Sequence, residues 1–188
     1  MLRATCEYGF TTALGRLDME FTPGAVYGIE GRNGSGKTTL LRTLAGELDP
    51  LSGSVDFGKD YPVYVGWPSF YVDMTVGEHV DLVARHADVD AGKAVKHWVI
   101  GELLGSLPQH LSSGQKQRVF LALQLMGVAA AQDSRAVLLD EPERHLDQEW
   151  TQFVAAQLRV LADAGHCVVV ASHSPTIMDA IDSRIALG

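Results

Sequence analysis

The sequence predicts an α/β fold, a mostly parallel sheet flanked by helices, and three stretches carry that expectation. Ala25–Ile29 is an apolar run that enters a glycine-rich loop and then a helical pattern, the strand, turn, helix order of a parallel-sheet unit. Ala136–Leu139 is a second apolar run and ends in two acids, Asp140 and Glu141. Cys167–Ala171 is a third, continuous rather than alternating, as expected of a strand buried on both faces of a parallel sheet. At 188 residues, 46% of them apolar and 20% charged, the chain is long enough to bury such a sheet in one compact domain.

Along the chain, a strand at about Ala25–Glu30 leads to a helix from Lys37 to about Glu47, with Leu40, Leu41 and Leu44 on one face and Gly46 near its end. Ser52–Gly58 reads as a short strand or hairpin, and Val63–Val65 as another strand. Thr75 and Glu78 then form a T-x-x-E capping box: the hydroxyl accepts from the backbone N–H three residues on, and the glutamate reaches back to the threonine N–H. The helix it opens carries Val76, Val80 and Val83 on its inward face. Mostly helical sequence continues to about Leu107 and closes at Pro108. Ser112 or Ser113 is placed to cap a helix through about Met126, and Gln148–Ala162 is a further helix. No internal repeat, low-complexity segment or linker interrupts the pattern.

The net charge of −8, with no run of five Lys or Arg, argues against nonspecific nucleic-acid binding, and no nucleic-acid partner is expected. Cys6 and Cys167 lie far apart without metal-ligand spacing. No signal peptide and no apolar stretch of ~18 residues stands out, so the expectation is a soluble, cytosolic chain.

Residues 31–39, GRNGSGKTT, have the makings of a phosphate cradle. Gly31, Gly34 and Gly36 let the backbone curl so that consecutive N–H groups, those of Asn33 and Ser35 among them, aim at one anion, and the following helix adds its partial positive charge. Lys37 is placed to reach the β- and γ-phosphates of a triphosphate, Thr38 to offer a hydroxyl to Mg²⁺, and Thr39 to contact the α-phosphate. The alternative is a plain glycine-rich turn. Asp140 and Glu141 sit just past an apolar strand, where open α/β sheets bind ligands. Adjacent carboxylates point different ways, so Asp140 is assigned to the metal and Glu141 to the attacking water. A pair of solvated turn acids is the alternative there.

The third motif is LSSGQKQR, Leu111–Arg118. With it the chain resembles the nucleotide-binding domain of the ATP-binding cassette (ABC) superfamily, as in the ATPase subunit of an ABC transporter, and follows that family's order of motifs almost end to end. Tyr8 resembles the aromatic that stacks on adenine. Leu111–Gln115, with Ser112, Gly114 and Gln115, resembles the signature; Leu146 and Asp147 match the dimer-facing loop; His173 in ASHS matches the switch histidine. Taken singly, Tyr8 reads equally as a core aromatic, Ser112–Gly114 as a helix cap and His173 as a structural histidine.

The resemblance implies a P-loop NTPase core with a mostly parallel sheet, a small antiparallel β part near the N-terminus and a reduced helical subdomain. Within one domain spanning 1–188, residues 1–66 and 108–188 would be the core and about 67–107 the subdomain. It implies ATP and Mg²⁺ as cofactors, with hydrolysis to ADP and phosphate. Two subunits, as a homo- or heterodimer, would close around two ATP molecules, each site joining one phosphate loop to the opposite signature. A separate membrane-spanning permease would be driven by that closure, which places the chain in the cytoplasm, peripheral at the inner face of the membrane. A soluble ABC-type ATPase in DNA repair or chromosome handling, and a nucleotide-gated binding module with little hydrolysis, are the alternatives.

Two departures stand out. Gly66 or Trp67 occupies the place of a Mg²⁺-binding, partner-sensing glutamine, and Ser113 replaces the signature's first glycine. Trp67, Phe70, Tyr71 and Trp98 are candidates either for aromatic anchors at a partner surface or for core packing.

Overall fold

A computed structural model describes residues 1–59, 61–129, 131 and 133–188. In chain order the elements are β1 (Leu2–Gly9), β2 (Ala13–Phe21), β3 (Val26–Glu30), α1 (Lys37–Leu44), β4 (Ser52–Asp56), β5 (Val63–Val65), α2 (Val76–Ala87), α3 (Ala91–His97), α4 (Ser113–Ala129), β6 (Ala136–Asp140), α5 (Gln148–Asp163), β7 (Cys167–Ala171), α6 (Pro175–Met178) and β8 (Ser183–Ala186). Five strands form a parallel sheet in the order β5-β6-β7-β3-β8, and β2-β1-β4 form a small antiparallel sheet.

Strand periodicity explains why the parallel sheet is apolar throughout. Val137, Leu139, Val168 and Val170 point to one face, where they join a core with residues of α2, α4 and α5 such as Val80, Leu121 and Leu158. Their neighbours Leu138, Val169 and Ala171 point to the other, where they meet α1 and the inner face of the antiparallel sheet through Leu40, Leu44, Ala4 and Phe21. Alternate side chains leave a strand on opposite sides, so a strand covered on both faces must be apolar at every position. Leu40, Leu41 and Leu44 are fully buried, a burial of about 1.5–3 kcal/mol for each side chain.

The expected elements from β3 to β7 are present, with shifted ends. Helix α1 stops at Leu44 because Gly46 adopts φ +75° and turns the chain away, its N–H donating to Thr43 O. The Thr75–Glu78 capping box forms with both of its bonds, and Val76 and Val80 are buried while Val83 is half-buried. Ser112, rather than Ser113, caps α4, which runs three residues past Met126. The four-residue elements α6 and β8 are additions that no periodicity announced. Trp98 is core, edge-on to Phe153, and Phe70 packs against Phe120, whereas Trp67 and Tyr71 are exposed.

Candidate active site

Register within the parallel sheet brings three motifs to one edge. Ala171 at the end of β7 lies opposite both Ile29 of β3 and Asp140 of β6, and Glu141 N donates to Ala171 O at 2.8 Å. The glycine-rich loop, the acid pair and the turn carrying His173 therefore leave the sheet side by side, at the carboxyl ends of the strands where α/β sheets hold ligands.

The loop is shaped by its backbone. Gly34 and Gly36 have φ of +82° and +92°, a region costly for residues with a Cβ. A Cβ on Gly31 would lie 2.3 Å from Ser35 Oγ. Gly36 begins α1 with no side-chain cap, which leaves the first-turn N–H groups to an outside acceptor. Lys37 is buried; its Nζ donates to the carbonyls of Gly31 and Arg32 at 2.9 and 3.2 Å and so ties the entrance of the loop to the helix start. Asn33 and Gly34 stand exposed at the crest, and Ser35 Oγ is buried without a partner among the described residues. Thr39 is buried too, its carbonyl accepting from Thr43 Oγ1 at 2.9 Å. An uncapped helix start, a buried ammonium and an unpaired hydroxyl together suit a polyphosphate.

On the acid side, Thr38 Oγ1 donates to Asp140 Oδ2 at 2.7 Å, and the Tyr64 hydroxyl donates to the same oxygen at 3.4 Å. Burial first, then the Asp140 charge, holds the Tyr64 phenol well above its usual range. Among the described residues no group of three or more His, Cys, Asp or Glu side chains could hold a metal ion. A hydroxyl beside one carboxylate nonetheless suits Mg²⁺, which takes few protein oxygens and completes its shell with phosphate and water.

Glu141 has φ +48°, an uncommon conformation for a residue with a side chain. Its Oε2 accepts two bonds from Arg144, at 2.5 Å from Nη2 and 3.2 Å from Nε, and the Arg144 guanidinium lies 3.5 Å from the centre of the Trp67 ring. His173 is exposed, with no side-chain hydrogen bond among the described residues. The turn carrying it is anchored by Ser172, whose Oγ donates to Glu143 Oε1 and accepts from Ser174 N. Arg144 and Glu143 are contributors that no sequence motif singled out. The available signal was their place directly after the acid pair, in DEPER.

The signature residues lie elsewhere on the chain. Ser112 and Gln115 form a capping box, Gln115 N to Ser112 Oγ at 3.2 Å and Ser112 N to Gln115 Oε1 at 2.9 Å. Gly114 faces the loop after the acids so closely that a Cβ would lie 2.8 Å from His145 O. Ser113 is helical, with no need of positive φ. Ser112, Gly114 and Gln115 line a cleft of about 310 Å³ with Leu146 and Asp147, and no residue of the phosphate loop borders it. Buried Gln117 links this helix to the acid side by donating to Pro142 O at 2.9 Å.

Tyr8 does not match the expectation placed on it. Its ring is 2% exposed, packed in the core under the phosphate loop with its hydroxyl against Gly15, so neither face is open to adenine. Phe10 is the exposed aromatic of this hairpin, 63% accessible at the turn between β1 and β2. Leu14, near the start of β2, approaches Gly36 of the phosphate loop. The G-F-T-T run at residues 9–12, which spans the turn between β1 and β2, was the sequence signal for Phe10.

A family model described as ABC transporter matches residues 14–144, more than half of the chain. The zinc import ATP-binding protein ZnuC of Roseobacter denitrificans is 33% identical over 96% of this chain and 71% of its own length. A putative ABC transporter ATP-binding protein of Streptomyces avermitilis is 34% identical over 95% of this chain, which spans only 34% of that relative. A dimeric structure of a bacterial ABC transporter cassette superposes with a TM-score of 0.83 at 19% identity, covering all of this chain and 94% of the other. Among the described residues no helix is long and apolar enough to cross a membrane. With the sheet edge already holding the phosphate loop, the acid pair and the histidine turn, the chain belongs to the ABC transporter family, as an ATP-binding ATPase subunit.

Proposed function

We propose that the chain hydrolyses Mg-ATP at the sheet edge and that ATP closes two copies, or this chain and a related one, into a dimer that drives a separate membrane-spanning permease. In this reading residues 67–107 act as the helical subdomain and the chain sits at the cytoplasmic face of the membrane. The observation that carries it is the Thr38–Asp140 pair at 2.7 Å, held beside the phosphate loop with Glu141 and the His173 turn on the neighbouring strand ends.

Residues 31–39 would hold the triphosphate through backbone N–H groups and Lys37, whose ammonium exchanges its carbonyl partners for phosphate oxygens. Thr38 and Asp140 would hold Mg²⁺, which neutralises phosphate charge when bound. Glu141 would take a proton from the water that attacks the γ-phosphorus as the bond to ADP breaks, and His173 would swing to hydrogen-bond the γ-phosphate. Phe10, in place of Tyr8, would stack on adenine. The signature cleft lies apart from the chain's own phosphate loop, so Ser112, Gly114 and Gln115 would face the nucleotide held by the other subunit. The departure at the glutamine position leaves water as the replacement for one metal ligand.

Glu141→Gln is the test: ATP should still bind while turnover falls by a factor of about 100 or more, and sedimentation at saturating Mg-ATP should show dimer. Wild-type turnover in a folded variant would overturn the assignment of the base.

A further inference from the structure

The side chain read as the general base is not free. Arg144, three residues on, places both Nη2 and Nε on the same oxygen, Glu141 Oε2. The same guanidinium lies over the indole of Trp67, its Cζ 3.5 Å from the ring centre. Trp67 belongs to the connection between β5 and α2 and is 65% exposed, so this large apolar ring lies at the surface with the cation as its neighbour. The stack joins two segments that are 77 residues apart in sequence, Trp67 and Arg144, and meets at one carboxylate.

We propose that Arg144 is a latch on Glu141, seated on Trp67, and that ATP hydrolysis requires the latch to open. A base must aim a lone pair at the attacking water; the two guanidinium donors both fall on Oε2, which leaves Oε1 without a partner among the described residues but holds the carboxylate turned toward Arg144. A guanidinium flat on an aromatic ring is attracted by the ring's negative face, and its planar fork fits a carboxylate better than an ammonium does. Removing either partner therefore loosens the grip on the base. Because Trp67 is exposed, anything that displaces it from outside reaches Glu141 through a single side chain. Arg144 and Trp67 are positioning residues in this scheme and touch no reacting atom. The inference rests on Glu141 being the base.

The experiment is steady-state ATP hydrolysis by the purified chain and five variants, each checked by circular dichroism. Arg144→Ala should raise kcat about tenfold with KM for ATP within about twofold, a barrier change rather than a binding change. Trp67→Ala reaches the same latch without altering the acid loop and should raise kcat in the same direction. The double variant should be no faster than the faster single, because both act on one contact. Arg144→Lys keeps the charge without the fork, and should fall between wild type and Arg144→Ala. A kcat unchanged or lowered in both folded alanine variants overturns the latch, as does a double variant whose gain is the product of the two. Glu141→Gln run alongside separates the two ideas. If it is inactive and Arg144→Ala is not faster, the latch alone is wrong; if it turns over normally, the base assignment has failed and the latch goes with it.

Discussion

At the phosphate loop, backbone does the positioning: two left-handed glycines, an uncapped helix start and a lysine bonded to two carbonyls. On the wall facing the β5–α2 connection, side chains do it, with Trp67 seating Arg144 and Arg144 holding Glu141. The first arrangement is encoded within nine consecutive residues and depends little on the rest of the chain. The second exists only because the sheet brings the end of β5 beside the end of β6. Backbone geometry set by neighbours in sequence is hard to disrupt, whereas a contact between distant side chains is open to displacement. That contrast suits a site whose capacity to bind is built into the loop and whose hydrolytic step is conditional.

The largest effect is expected on the backbone-built wall, at Lys37. Lys37→Ala removes charge-assisted hydrogen bonds of about 1.5–3 kcal/mol each, so ATP affinity should fall roughly 10- to 150-fold for every phosphate bond that Nζ makes, read by equilibrium binding of a fluorescent ATP analogue. Affinity matching wild type would show that the loop does not hold the triphosphate. Glu141→Gln comes next and acts on the other wall alone, cutting turnover while sparing binding.

Phe10→Ala should have a smaller effect, weakening ATP about 5- to 150-fold in all if stacking on a base is worth about 1–3 kcal/mol. Tyr8→Phe, which keeps the buried ring, should bind ATP as wild type does. The reverse order of the two would restore Tyr8 as the adenine contact.

The smallest effect concerns the strand both walls share. His166 sits just before β7, buried, its Nδ1 accepting from Arg135 N at 3.2 Å. Burial holds its imidazole below the usual range. As pH falls below about 6.5 the unfolded chain takes up a proton that the folded chain refuses, so stability should drop until the lowered folded value is passed. Tm at pH 5.5 should lie below Tm at pH 7.5, and His166→Gln should flatten that slope. An equal slope in the variant would remove His166 from the account.

By itself, the sequence determined whatever depends on neighbours along the chain. The three apolar strands are continuous because both faces are covered. The Thr75–Glu78 box closes over four residues, and the loop at 31–39 carries its own glycines. Helix ends were less legible, since Gly46 cuts α1 short by a turn in φ that composition only hints at. Short segments such as Ser183–Ala186 have too few residues to show a period and become strands by pairing with β3. Only tertiary structure decided burial and distance. It sank Tyr8 beneath the loop and left Phe10 exposed, since Tyr8 lies within β1 against the core while Phe10, two residues on, stands in the turn beyond the sheet. It also set Arg144 between Glu141 and Trp67, a contact that depends on how the β5 and β6 ends meet and has no trace in either local pattern.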